Sequence, residues 1–64
     1  MKIIYRDQVW QLDIQSNITI REALEKVGLS PAQMLASRDG KFLTPDTQVG
    51  PDDTIKLFVW AHGG

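Results

Sequence analysis

Only one stretch of the sequence has the period of an amphipathic helix, and that bounds what the chain can become. In NITIREALEKVGL, Ile20, Ala23, Leu24 and Val27 fall at i, i+3, i+4 and i+7, so they form one apolar stripe. Arg21, Glu22, Glu25 and Lys26 take the other side. Thr19 and Glu22 have the S/T-x-x-E spacing of a capping box, in which each side chain satisfies the other's free backbone N–H. Glu22 and Lys26 are spaced to pair at i, i+4. Gly28 suits the left-handed stop, with Leu29 folding back onto the helix end. A lone stripe needs a surface to bury it, and the rest of the sequence has to supply a sheet.

The remaining segments read as strands and turns. KIIYR (Lys2 to Arg6) and VWQLDI (Val9 to Ile14) are strand-like runs separated by Asp7-Gln8, which predicts a hairpin. Trp10, Leu12 and Ile14 alternate with Gln11 and Asp13, the pattern of a half-buried strand. Ser30-Pro31 predicts a single helical turn, SPAQM, with serine as N-cap and proline at the first helical position. LASR and KFLT flank Asp39-Gly40, a type I′ turn signal, and predict a second hairpin. Thr44-Pro45-Asp46 and Gly50-Pro51-Asp52-Asp53 are turn clusters. The last strand is TIKLFVW (Thr54 to Trp60), with Ile55, Leu57 and Val59 on one face and Lys56, Phe58 and Trp60 on the other. The expected architecture is α+β: a mixed sheet of four or five strands around one helix, as a single domain over 1–64 with a flexible tail at 61–64.

Composition removes several classes of function. Sixty-four residues make one small domain. There is no cysteine, hence no disulfide and no thiol nucleophile, and the single histidine, His62, cannot build a metal site alone. Seven basic and eight acidic residues leave a net charge of −1, which argues against direct nucleic-acid binding. No apolar run approaches the roughly 20 residues of a membrane span, and MKIIYRD is not a signal peptide. A cytoplasmic protein is expected. A stand-alone enzyme is disfavoured: Ser30 or Ser37 would need His62 as base, and His62 lies on the tail, where pre-organisation fails. Asp52-Asp53 follows Gly50-Pro51 and reads as a solvated turn, not a catalytic carboxylate pair.

Two features are left for function. If the helix covers Ile55, Leu57 and Val59, then Phe58 and Trp60 stand on the uncovered face, and exposed aromatics of this kind serve as partner contacts. Beyond Trp60 come Ala61, His62, Gly63 and Gly64. Extended, the segment from Trp60 to Gly64 spans roughly 15 Å, a thin arm carrying a carboxylate away from the domain. A carboxylate is inert until activated, and an activating site must enclose it and exclude water. Glycines pass through a narrow channel because they have no side chains, while the body supplies remote binding energy. No phosphate-binding glycine loop is present, so any ATP would be bound by the partner.

The opening MKIIYRDQ, the helix TIREALEKVGL, the hairpin LASRDGKFL, the turn and strand PDDTIKLF and the terminal GG resemble the ThiS/MoaD family of ubiquitin-like, β-grasp sulfur carriers over essentially the whole chain. The diglycine is the specific motif; the rest is general β-grasp patterning. The resemblance implies that an E1-like enzyme adenylates Gly64 using ATP. A sulfur donor, with a sulfurtransferase, then converts the adenylate to a thiocarboxylate. Gly63, His62 and Ala61 would lie in the partner's channel, and Phe58 and Trp60 would face the activating enzyme. The sulfur acceptor would be thiazole synthase in thiamine synthesis or a tRNA 2-thiolation enzyme; molybdopterin carriers are usually longer. The carrier itself would be a monomer that binds no cofactor. Two other readings stand beside it: a ubiquitin-like covalent modifier, in which the same activated acyl group meets a lysine amine, and a plain interaction domain with incidental glycines.

Overall fold

In a computed structural model, residues 1–59 are described, and Trp60 to Gly64 lie outside the described residues. The strands are β1 (Lys2–Tyr5), β2 (Gln8–Gln11), β3 (Ile18–Thr19), β4 (Met34–Arg38), β5 (Lys41–Leu43), β6 (Gln48–Val49) and β7 (Thr54–Val59). Helix α1 is Ile20–Lys26, and a 3₁₀ turn occupies Pro31–Gln33. Five strands form one sheet in the order β2-β1-β7-β4-β5, while β3 and β6 make a separate two-stranded pair. β1 and β7 run parallel side by side at the centre; the other pairings are antiparallel. This mixed sheet with one helix is the β-grasp arrangement expected from the sequence.

Local chemistry explains the helix boundaries. Thr19 is the N-cap, extended at φ −80° and ψ 160°, and its hydroxyl accepts the Glu22 N–H at 3.1 Å. The Glu22 carboxylate in turn accepts the Thr19 backbone N–H at 3.2 Å, completing the capping box. That engagement directs Glu22 away from Lys26, and the expected Glu22–Lys26 pair is not among the ion pairs of the described residues. The residues before the cap are not helical: Ile18 and Thr19 pair with Val49 and Gln48. At the other end, the Leu29 N–H reaches Leu24 O at 2.9 Å and the Gly28 N–H reaches Glu25 O at 3.1 Å. With Gly28 at φ 80°, these two bonds are the Schellman pattern. Ser30 precedes the 3₁₀ turn as expected, but its side chain makes no capping bond.

The apolar stripe is buried as its spacing predicts. Ile20, Ala23 and Leu24 pack with Met1, Ile3, Ala36, Val49, Ile55 and Leu57; Val27 and Leu29 pack at the edge of this core. Val59, expected on the same side, is 40% exposed at the end of β7. Strand β2 also stops short of the expected Ile14. It stops at Gln11, opposite Lys2, and Leu12 N–H reaches Met1 O at 2.8 Å just beyond it. No helix among the described residues is long and apolar enough to cross a membrane.

The two hairpins turn on different residues from each other in kind. Asp39 and Gly40 have φ of 54° and 81°, the positive pair that a type I′ turn requires, and Arg38 is paired with Lys41. In the first hairpin Tyr5 pairs with Gln8, so the turn is Arg6-Asp7, not Asp7-Gln8. Arg6 takes φ 55°, and its guanidinium lies 5.2 Å from the centre of the Tyr5 ring, a cation–π distance.

Candidate docking face

The helix covers one side of the sheet, and the ladder register states what the other side carries. Residues paired across a ladder share a face, so Val9, Ile4, Lys56, Ser37 and Phe42 form one row across all five strands. Lys2 and Thr54 lie in a neighbouring row, and Phe58 and Leu35 lie in the row on the other side. Phe58 is 46% exposed, as its place in the last strand implied. Phe42 is 68% exposed and meets Phe58 edge-on, with ring centroids 6.2 Å apart and planes at 75°. Val9 is also exposed. Together with Ile4, Ser37, Asp39, Gly40, Thr54 and Lys56, the two phenylalanines line a shallow concavity of about 430 Å³.

Phe42 is an exposed ring on this face that reading the sequence strand by strand misses, although its position follows from the turn. An Asp-Gly type I′ turn at 39–40 fixes Arg38 opposite Lys41 and therefore Ser37 opposite Phe42. Ser37 follows Lys56 across the next ladder, which places Phe42 on the face of Lys56 and Phe58. Ser37 itself is buried and donates its hydroxyl to the Lys56 carbonyl at 3.3 Å, a structural bond.

The acidic turn is more than solvated surface. Asp52 is exposed, but Asp53 is partly buried and its Oδ2 accepts the Gly50 N–H at 2.7 Å and an Arg38 Nη1 hydrogen at 3.0 Å. The bridge ties the turn that launches β7 to the end of β4. A second ion pair, Arg21 with Asp46 at 3.0 Å, is exposed and contributes little. Among the described residues no group of three acidic, histidine or cysteine side chains could hold a metal.

The remaining residues expected at the site, Trp60, Ala61, His62, Gly63 and Gly64, lie outside the described residues. The described chain brings Phe58 and Phe42 together on the face of the strand from which that segment continues.

No family model matches this chain. The sulfur carrier protein TtuB of Thermus thermophilus is 32% identical to it over 54 residues, covering 84% of this chain and 83% of that protein. Among solved structures, a computationally designed protein based on the template of human erythrocytic ubiquitin superposes with a TM-score of 0.69 at 26% identity. That match covers 100% of this chain and 94% of the designed one. A ubiquitin-like fold and a sulfur-carrier relative aligned over most of both chains agree with each other, and the chain belongs to the β-grasp sulfur carrier proteins of the ThiS/MoaD type.

Proposed function

We propose that this chain carries sulfur as a thiocarboxylate on Gly64 and is a co-substrate of other enzymes, with no catalysis of its own. The observation that supports the reading is Gly63-Gly64, five and six residues after Phe58 in a chain of this family. An E1-like enzyme binds the body and ATP. The Gly64 carboxylate attacks the α-phosphorus, forming an acyl adenylate and releasing pyrophosphate. Hydrosulfide then attacks the carbonyl carbon, AMP leaves with the C–O electron pair, and one proton is released as the thiocarboxylate forms. Gly63, His62 and Ala61 thread the partner's channel, where only a slender backbone fits. Phe58, Phe42 and Trp60 supply binding energy far from the reacting carbon, which orders the tail without obstructing it.

The sulfur passes to the thiazole of thiamine or to a tRNA uridine, through thiazole synthase or a tRNA thiolation enzyme. The protein works in the cytoplasm as a monomer, since a carrier must leave one partner before meeting the next. A single added alanine after Gly64 tests the central step. With the cell's own E1-like enzyme, the unextended chain should support ATP–pyrophosphate exchange and the extended chain should not. Equal exchange by both would refute the reading. A product bearing sulfur identifies a carrier, whereas an isopeptide on lysine identifies a modifier. Loss of the gene should then leave cells either requiring thiazole or lacking 2-thiouridine.

A further inference from the structure

We infer that the open face recognises a partner surface on which an apolar side chain stands beside a carboxylate, with the Phe42–Phe58 pair taking the first and Lys56 the second. This rests on the proposed function only for the partner's identity, the E1-like enzyme. Lys56 occupies the middle strand of its row, between Ile4 on β1 and Ser37 on β4, and it lines the same concavity as Phe42 and Phe58. A partner that fills this concavity therefore meets Lys56 together with the two rings. An ammonium removed from water without an acceptor is costly, and the partner has to bring one.

Among the described residues the strands of this face carry no carboxylate. Its strand positions are Val9, Gln11, Lys2, Ile4, Thr54, Lys56, Phe58, Leu35, Ser37 and Phe42, two cations and no acid, in a chain whose net charge is −1. Asp39 lies at the rim, on the turn, and no ion pair of the described residues joins it to Lys56. The Ser37 hydroxyl is donated to the Lys56 carbonyl and does not face the ammonium as a committed acceptor. The methylene stem of Lys56 meanwhile extends the apolar floor between the rings and Ile4. An apolar anchor with an adjacent carboxylate matches this arrangement group for group.

The test measures affinity of the full chain for the E1-like enzyme without ATP, across a range of salt concentrations. Lys56→Glu should raise Kd about tenfold, because it replaces an attraction by a repulsion. Lys56→Met, which keeps the stem, should give a smaller loss and a flatter salt dependence. Lys26→Glu, on the helix that covers the opposite side of the sheet, should bind as wild type, and circular dichroism checks that each variant is folded. Wild-type affinity for both Lys56 variants would overturn the inference. So would tighter binding of a short RNA than of the enzyme, abolished by Lys56→Glu, which would assign the lysine to phosphate. The carrier reading fails separately: the wild-type chain would bind the enzyme in this Lys56-dependent way and still never be adenylated when ATP is added.

Discussion

Replacing Phe42 by alanine separates folding from docking. The ring is 68% exposed, so only about a third of it is covered in the free chain. With an aromatic side chain burying roughly 200 Å² when fully enclosed, about 65 Å² is at stake, or roughly 1.5 kcal/mol at 25 cal/mol per Å². The edge contact with Phe58 adds about 0.5–1.5 kcal/mol beyond that area, so the total loss is about 2–3 kcal/mol. A domain of this size has on the order of 3–10 kcal/mol of stability, so the variant should remain folded. Urea titration followed by circular dichroism should show the midpoint lowered, with the m-value unchanged. If the proposed E1-like enzyme docks on this face, its binding should suffer more than folding does, by about tenfold or greater, because an anchor ring is fully desolvated only in a complex. A stability loss above about 3 kcal/mol would mean the ring belongs to the core. Wild-type affinity in a folded variant would mean the face is not where the partner sits. A double-mutant cycle with Phe58→Ala isolates the ring–ring term, expected at about 0.5–1.5 kcal/mol.

Leu24→Ala should behave in the opposite way: the side chain is 2% exposed, and its loss should cost about 2–5 kcal/mol, lowering the urea midpoint further than Phe42→Ala does. Thr19→Ala removes the hydroxyl that accepts the Glu22 N–H and should cost about 1 kcal/mol in urea titration, while Thr19→Asp should restore most of it. Gly40→Val should cost more than Gly40→Ala in the same assay. No atom lies within 4 Å of an added Cβ, so the difference arises from the φ of 81° alone, which a β-branched residue tolerates least.

The features legible in the sequence are those decided within a few residues. The capping box at Thr19 and Glu22, the Gly28 stop and the Asp39-Gly40 turn each depend on contacts no more than five residues apart, and each is formed. The stripe of the helix was equally plain, because burial follows spacing once a sheet is present. The misplaced first turn shows the limit. Neither Asp7-Gln8 nor Arg6-Asp7 has a strong turn preference, and the turn follows from the ladder register, in which Ile3 pairs with Trp10 and Tyr5 with Gln8. The β3–β6 bridge likewise depends on where two loops meet. Phe42 is not legible from β7 alone, because its face follows only when parity is carried across two ladders to β5. The bond of Asp53 is invisible to local sequence because Arg38, its partner, is fifteen residues away.

The account depends most on the chemical state of Gly64. Intact-mass measurement of the protein taken from its native cell, with fragmentation to locate the change, addresses it directly. A species heavier by the difference between one sulfur and one oxygen atom, with that change confined to the Gly64 carboxyl group, is the predicted result. Finding only the carboxylic acid, in cells whose activating enzyme and sulfur donor are both active, would contradict it.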